Sequence, residues 1–298
     1  MNAITQHPPG GVAGAQGPYW PDWRTVCTSV IGRGHLQFYR ECQDAFRCNV
    51  AELVHPRTLS NGRPSQPMIV TVSDGLGSAA NSAAGSALAT TIAQAATERA
   101  FAVVDWAAAQ AWQLTSTLQG ALESAVTQLR AAVAAVTATT QHEWQNSSFN
   151  ATLLIVVFRP PWLLTANVGD GFVVAQRDDG QLLMVARPNV SGSDASATVS
   201  ALQGTALARA TVSCLYDTAL RGFAASTDGL KDISLDWQGR VAETPHHDFF
   251  APLLTRIADG TLAGQQVTQF LHEDRIGAIA DDDLTLVAVA RATSKDRR

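Results

Sequence analysis

Short apolar runs that stop at turn-forming residues are the first pattern along the chain. The segments TVCTSVIG (residues 25–32), DAFRCNV (residues 44–50) and PMIVTVSDG (residues 67–75) are rich in β-branched and other apolar side chains. Runs of this length that end near glycine, asparagine or aspartate are typical of buried strands. The sequence therefore predicts that the fold begins with strands.

Between residues 78 and 140 the pattern becomes helical. This region is rich in alanine and contains no proline, and larger apolar residues recur in it at helical spacing. About sixty residues is too long for one helix of a globular domain, so we predict two packed helices with a break near residues 98–105. We expect Trp106, Trp112 and Trp144 to pack in the core or between helix and sheet.

A second group of strands follows the helical region. Apolar runs recur at residues 151–158, 162–170, 171–186, 223–230 and 281–290. Asp179-Gly180 separates two apolar stretches and predicts a hairpin turn. Residues 187–208 are rich in Ser, Ala and Thr without a clear period, which predicts a mobile surface excursion. Residues 249–270 have a helical pattern.

The order of these elements defines a fold class. Strands, then two long helices, then several consecutive strands do not form a βαβ rhythm, so the sequence predicts an α+β fold with antiparallel sheets and helices outside them. No Pro/Gly/Ser linker divides the strand groups, and we expect one domain over residues 22–292. Residues 1–21 are predicted to form a flexible Pro/Gly-rich arm, and residues 293–298 a frayed tail.

The composition excludes several classes of protein. The chain is 46% hydrophobic and 16% charged with a net charge of -5, which disfavours a disordered chain and a nucleic-acid partner. No stretch reaches the roughly 18 apolar residues of a membrane-spanning helix, and no signal peptide is visible, so we expect no membrane partner. The four cysteines form no CxxC pair, which favours reduced thiols and a cytoplasmic location.

Aspartates recur at the ends of the predicted strands. Asp74, Asp170 and Asp228 each close an apolar run and precede a glycine, and Asp282-Asp283 open the final run. A carboxylate at the rim of an apolar core is costly unless a cation or donor satisfies it, and neighbouring carboxylates repel one another. Oxygen ligands without adjacent His or Cys suit Mg²⁺ or Mn²⁺. The pattern therefore indicates a divalent-metal site.

A simpler interpretation is that each Asp-Gly step is only a turn. Asp179-Gly180 and Asp259-Gly260 are interpreted in this way. Three further Asp-Gly steps each come directly after a strand-like run, and this joint occurrence favours the metal site.

Five motifs, in order along the chain, carry a resemblance to a known family. They are CQDAF (42–46), VSDGLGS (72–78), ATLL (151–154) with ANVGDG (166–171), ASTDGL (225–230) and DDDLTLVAV (281–289). Together they resemble the metal-dependent serine/threonine protein phosphatases of the PPM, or type 2C, family, in particular its shorter bacterial branch. The GRGH stretch (32–35) is similar to the opening of that branch.

The resemblance implies a four-layer sandwich, in which two antiparallel sheets face each other and a helix pair covers each outer side. It also implies a binuclear Mg²⁺ or Mn²⁺ site at one edge of the sheets. By the matching positions, Asp74 would bridge both ions and the Gly75 carbonyl would support one of them. Asp228 and Asp282 would complete the shell of the other ion.

Further positions are implied on the opposite side of this site. Asp44, or the amide of Gln43, would act on the second ion through waters. Asp170 matches a residue that, with Asp228, can hold a weaker third ion. Asp283 matches a position that is less suited to be a ligand itself.

The function implied by the resemblance is hydrolysis of phosphoserine and phosphothreonine in proteins by a metal-activated water. The substrate would be a phosphoprotein of a serine/threonine kinase, and we expect a monomer. Two alternatives stay open at this point: a catalytically silent relative that acts as a regulatory or binding module, and a hydrolase of small phosphoesters. Intact Asp74, Asp228 and Asp282 favour catalysis, because a silent fold has no reason to hold repelling carboxylates at one edge.

Two positions depart from the pattern of the eukaryotic relatives. A histidine that can protonate the leaving group follows their Asp-Gly step, whereas this chain has Leu76. Their phosphate-binding arginine lies five residues before the first motif aspartate, where this chain has Tyr39. Arg33, Arg40 and His35 are the nearby candidates for phosphate binding.

Overall fold

The computed structural model describes residues 23–49, 67–140, 144–188, 200–238 and 241–293. The predicted arm at residues 1–21 lies outside the described residues, and so does the predicted tail beyond residue 293. The strands are β1 (Trp23–Val30), β2 (Ala45–Cys48), β3 (Met68–Ser73), β4 (Leu153–Arg159), β5 (Trp162–Val168), β6 (Phe172–Arg177), β7 (Leu182–Ala186), β8 (Thr211–Tyr216), β9 (Leu220–Ser226), β10 (Leu235–Gln238), β11 (Val241–Pro245) and β12 (Leu284–Arg291). The helices are α1 (Arg33–Gln37), α2 (Ser82–Phe101), α3 (Ala111–Thr139), α4 (Lys231–Ser234), α5 (His247–Ala258), α6 (Gly264–Leu271) and α7 (Asp274–Gly277).

Two five-stranded antiparallel sheets form the centre of the fold. Sheet I has the strand order β1-β12-β9-β6-β7, and sheet II has the order β2-β3-β4-β5-β8. Strands β10 and β11 form a separate two-stranded ribbon. In sheet I, β1 pairs with β12 along its full length, from Trp23 opposite Arg291 to Val30 opposite Leu284. The first and last described strands are therefore neighbours.

The central strands bury both of their faces. Strand β4 shows how, because its side chains alternate between two layers. One face of β4 lies between the sheets and consists of Leu154, Val156 and Phe158. The other face lies under helices α2 and α3 and consists of Leu153, Ile155 and Val157. Burying each such side chain contributes about 1.5–3 kcal/mol, which explains why this strand is a continuous apolar run.

Helices cover the outer face of each sheet, which gives a sandwich of four layers. Helices α2 and α3 pack against sheet II, where Leu118, Leu122 and Val126 are fully buried. Helices α5 and α6 cover sheet I, with Leu254 and Val267 in that core. The predicted four-layer fold of two antiparallel sheets between helix pairs is confirmed. The predicted break in the long helical region is also present, at residues 102–110.

The helical pattern at residues 249–270 corresponds to two helices, because α5 ends at Ala258 and α6 begins at Gly264. Two other local features differ from the expectation. Trp112 does not pack in the core, since it is 70% exposed and lies in the first turn of α3. The strand β8 had not been predicted, because its burial pattern is intermediate and no continuous apolar run marks it.

The segment predicted as a surface excursion is only partly described. Residues 189–199 lie outside the described residues. In the part that follows, Ala201 and Ala206 are fully buried and belong to the core between sheet II and its helices. Arg130 of α3 also donates a hydrogen bond to the Gln203 carbonyl. Residues 200–208 are therefore anchored to the fold, contrary to the prediction.

None of the helices within the described ranges combines the length and the apolar character that crossing a bilayer requires.

Candidate metal centre

Aspartates from both sheets lie at one edge of the sandwich. In sheet II, Asp44 directly precedes β2 and Asp74 directly follows β3. In sheet I, Asp228 lies two residues after β9 and Asp282 two residues before β12. Asp170 lies in the connection that carries the chain from β5 in sheet II to β6 in sheet I. Since β2 is antiparallel to β3, and β9 to β12, the start of one strand lies beside the end of its partner.

Two groups of potential ligands form at this edge. Asp74, Asp170 and Asp228 each present a carboxylate oxygen, and these oxygens lie within 4.8 Å of one another. Asp282 lies in a second group with His35 and Asp283, again within 4.8 Å. The fold thus brings together Asp-Gly steps that are far apart in the sequence.

The protein environment disfavours the charged forms of these carboxylates. Burial raises the pKa of Asp74 well above its usual range, and the charges of Asp44 and Asp228 raise it further. Burial also raises the pKa of Asp44, with Asp283 adding to the effect. The pKa of Asp282 is raised by burial and by Asp228. A cation between these groups would remove the repulsion and favour their ionised forms.

The Asp44 carboxylate has one oxygen engaged by the protein and one that is not. Its Oδ2 accepts a hydrogen bond of 2.8 Å from the Thr227 hydroxyl. Its Oδ1 is buried and has no hydrogen-bond partner among the described residues. A buried carboxylate oxygen without a donor is costly, and oxygen ligands of this kind suit Mg²⁺ or Mn²⁺. The residues present therefore fit a hard divalent cation.

The loop that carries Asp74 is held on two sides. The Asp74 backbone N–H donates to the Thr152 hydroxyl at 2.9 Å, and the Thr152 N–H donates to the Asp74 carbonyl at 2.8 Å. The next residue, Gly75, donates its N–H to the Gln43 carbonyl at 3.1 Å. A Cβ at Gly75 would lie 2.6 Å from the Ser82 carbonyl oxygen. Glycine is therefore required here for close approach of the backbones.

Asp283 connects segments of the site rather than pointing into it. It is 1% exposed, and its two oxygens accept 2.6 Å hydrogen bonds from the backbone N–H groups of Gly32 and Gln43. The imidazole Nδ1 of His35 lies 2.9 Å from Asp283 Oδ1. These contacts fix the start of α1 and the segment before β2 against the loop that carries Asp282.

Lys231 is a functional candidate that the sequence analysis missed. Its Nζ donates a hydrogen bond of 2.6 Å to Asp228 Oδ2. Burial lowers the pKa of Lys231, whereas the charge and the hydrogen bond of Asp228, with the charge of Asp170, raise it, and the net shift of the pKa is upward. The signal in the sequence was its position three residues after Asp228, a spacing that places two side chains on one face of a helical turn.

Most of the chain matches a known protein family. The family model described as "Protein phosphatase 2C" matches residues 31–272. The chain belongs to this family. The resemblance seen in the sequence motifs is thereby confirmed, and the enzyme is a serine/threonine protein phosphatase of the metal-dependent type.

Individual relatives agree with the assignment. The chain is 27% identical over 270 residues to "Serine/threonine-protein phosphatase 3" of Escherichia coli strain K12. The aligned region covers 89% of this chain and 96% of that protein. A bacterial serine phosphatase variant has the same fold, with a TM-score of 0.59, 12% identity, and coverage of 91% of this chain and 98% of its own. The serine/threonine phosphatase Stp1 of Staphylococcus aureus aligns with a TM-score of 0.55 and 12% identity over 94% of this chain and 97% of its own.

The residues considered for phosphate binding in this phosphatase lie in different environments. Arg40 is exposed and its Nη1 donates a hydrogen bond of 3.1 Å to the Gly77 carbonyl, beside the loop that carries Asp74. Arg33 is exposed at the start of α1. His35 lies against acidic groups, with Nε2 at 4.0 Å from Asp282 Oδ1. Tyr39 is 98% exposed.

Proposed function

We propose that this phosphatase hydrolyses phosphoserine and phosphothreonine in proteins with two divalent cations, Mg²⁺ or Mn²⁺. The proposed ligands are Asp44, Asp74, Asp228, Asp282 and the carbonyl of Gly75. One observation carries the proposal, namely that carboxylates from both sheets converge at one edge while burial and mutual repulsion raise their pKa values. When bound, two such ions would supply a water of lowered pKa as the nucleophile for hydrolysis of the phosphomonoester at neutral pH.

The chain's own residues then have to position the phosphate. No side chain is required as a nucleophile, so the protein contributes orientation and charge neutralisation. Arg40 fits this role better than the other candidates, because its bond to the Gly77 carbonyl holds the guanidinium beside the Asp74 loop and leaves further N–H groups for a phosphate dianion. Arg33, on the exposed face of α1, is a second candidate. His35 is the third candidate, with its Nδ1 2.9 Å from Asp283 Oδ1 and its Nε2 4.0 Å from Asp282 Oδ1.

Leu76 occupies the position from which a histidine could protonate the leaving group. Its backbone N–H donates to the Asn150 carbonyl at 2.9 Å, and its side chain has no proton to give. We therefore propose that protonation of the serine or threonine alkoxide comes from water.

The partners and the domain limits are part of the same proposal. The substrate is a phosphoprotein made by a serine/threonine kinase, and the enzyme acts as a cytoplasmic monomer. Residues 22–292 form the catalytic domain.

A chain trimmed to residues 22–292 should keep the melting temperature and the turnover number of the full chain, because the Pro/Gly-rich arm offers little apolar surface to bury. Aggregation of the trimmed chain would contradict these limits.

The experiment that tests the function compares two substrates in one metal titration. Metal-stripped enzyme is assayed with a phosphothreonine peptide and with an aryl phosphate while Mn²⁺ or Mg²⁺ is added back. We expect no turnover in excess chelator, recovery with either ion, and a higher kcat/KM for the peptide. Lack of turnover with both substrates in the presence of bound metal would identify a catalytically silent binding module. Preference for the aryl phosphate would identify a hydrolase of small phosphoesters.

A further inference from the structure

Lys231 brings a positive charge into the group of Asp74, Asp170 and Asp228. Asp228 begins a short 3-10 turn, and Lys231 begins α4 directly after it, which directs the lysine side chain back over Asp228. The Nζ atom lies 2.6 Å from Asp228 Oδ2. The lysine side chain is 33% exposed and the Asp228 side chain 14% exposed, so this ion pair is partly withdrawn from water.

The ammonium group of Lys231 lies beside a group of three carboxylates. The carboxylate oxygens of Asp74, Asp170 and Asp228 come within 4.8 Å of one another, and Lys231 contacts one of these residues from the side of α4. When all three carboxylates are ionised they carry three negative charges, and a single divalent ion neutralises two of them. A protein cation at Asp228 reduces the charge that remains for any additional ion to compensate.

The type of cation also matters. Only two of the 21 basic residues in the sequence are lysines, and Lys231 is one of them. A lysine ammonium is a compact point charge, whereas the planar arginine fork is larger and binds carboxylates through two parallel hydrogen bonds. Of the two basic side chains, lysine thus has the head group that is closer in size to a metal ion, and it is lysine that lies beside Asp228.

We propose that Lys231 is a built-in cation at the Asp170–Asp228 pair and replaces the weakly held third divalent ion, so that this phosphatase works with two ions. The inference rests on the proposed function, because it assumes that Asp74 and Asp228 hold the two other ions. It assigns Lys231 a role in setting the metal stoichiometry, and Asp170 a role in holding a positive charge that the protein itself supplies.

The test counts Mn²⁺ ions bound to metal-stripped protein by isothermal titration calorimetry and by the signal of free Mn²⁺ in electron paramagnetic resonance. Wild type should bind two ions. Lys231→Met should bind one additional ion, because removing the positive charge at the pair leaves its negative charge to be compensated by a cation. The double variant Lys231→Met/Asp170→Asn should lose the additional ion, which locates it. Lys231→Gln serves as a second neutral variant.

Arg177→Met is the matched control. Arg177 forms an ion pair of 2.8 Å with Asp217, and the two side chains are 34% and 14% exposed, nearly the same values as for Lys231 and Asp228. It lies at the far end of β6 from Asp170, so its loss changes the net charge equally without touching the site. We expect it to bind Mn²⁺ as wild type does.

Two outcomes would overturn the inference. One is a Mn²⁺ count that is the same in wild type and in both neutral variants, whether two or three, and the other is an equal increase in Arg177→Met. Failure of the proposed function is recognised separately, by an Asp74→Asn variant that still binds two ions as tightly as wild type. Loss of tight binding in that variant together with unchanged binding in Lys231→Met would reject only the role of the lysine.

Discussion

The Thr227 hydroxyl donates a 2.8 Å hydrogen bond to Asp44 Oδ2, and this bond connects the two sheets at the edge that carries the carboxylates. Thr227 directly follows β9 of sheet I, whereas Asp44 directly precedes β2 of sheet II. The same Thr227 oxygen accepts a hydrogen bond of 3.3 Å from the Thr285 N–H in β12. The orientation of Asp44 thus depends on residues of the opposite sheet.

Thr227→Val should weaken metal binding without unfolding the protein. Valine keeps the shape of threonine but removes the donor, which leaves Asp44 free to rotate away from the site. Loss of such a supporting hydrogen bond typically costs about tenfold or more in metal affinity. The Mn²⁺ concentration for half-maximal turnover should rise by that factor, and Thr227→Ser should restore it. Equal half-saturation in the valine variant would show that Asp44 does not act on a bound ion.

Asp74→Asn and Asp228→Asn should each lower kcat on the order of a hundredfold or more at limiting Mn²⁺, because a neutral amide holds a divalent ion less strongly. The fold should survive, since neither change opens a cavity. Asp179→Asn is the control, because it changes another Asp-Gly step that is 61% exposed in a turn. Turnover, circular dichroism and melting temperature are measured for all three. Full activity in either site variant would show that the ligands have been misassigned.

Gly229→Ala should destabilise the protein and reduce its metal affinity together. A Cβ at Gly229 would lie 2.0 Å from the Asp283 carbonyl oxygen, so the loop that carries Asp228 must move away from the one that carries Asp282. We expect a loss of about 2 kcal/mol or more in the free energy of unfolding by urea titration.

The opposite change is expected at Gly120, which provides the comparison. This glycine lies in the middle of α3, and a Cβ there would meet nothing within 4 Å. Gly120→Ala should stabilise the protein by about 0.5–1 kcal/mol, because alanine has the higher helix propensity. Similar effects of the two substitutions would contradict the role assigned to the close approach at Gly229.

The stability of the metal-free protein should fall as the pH rises. Burial raises the pKa values of Asp44, Asp74 and Asp282 in the folded state, so folding favours their protonated forms. This contribution is complete below the unfolded pKa of about 4 and is lost as the pH rises through the raised folded values. In chelator, the melting temperature should therefore decrease from about pH 5 toward pH 8.

Added Mn²⁺ should reverse this trend. Binding requires ionised carboxylates, so the rise in melting temperature caused by Mn²⁺ should be larger at about pH 8 than at about pH 5. Asp74→Asn should flatten both dependences. A metal-free protein that becomes more stable across this range would show that the carboxylates are not destabilising when charged.

The sequence was sufficient for the parts of the fold that depend on local patterns. The strand β4 was predictable because both of its faces are buried and its apolar run is continuous, and the Asp-Gly steps at Asp74, Asp170 and Asp228 were visible at the ends of such runs. Strand β8 was not predictable, since its side chains are half-buried and its sequence alternates weakly.

The supporting contacts of the site could not be predicted, because they join residues far apart in the chain. The bond between Thr227 and Asp44 spans 183 positions, and that between Asp283 and Gly32 spans 251. No local pattern encodes which hydroxyl will face which carboxylate. Lys231 lies only three residues from Asp228, but this spacing brings the two side chains together only because the chain turns helical at Asp228, two residues after β9.

The pairing of β1 with β12 joins the first described strand to the last, so sheet I cannot be completed before β12 has been synthesised. Strand β12 lies between β1 and β9, and Asp282 lies two residues before it, so a chain synthesised as far as residue 280 contains most of the carboxylates but lacks the strand that joins β1 to β9. Strand β1 has to wait for β12, the last of the described strands, which makes the completion of sheet I dependent on a contact between distant parts of the chain. We therefore expect the carboxylates of sheet I to reach their places at the edge only after β12 has been synthesised.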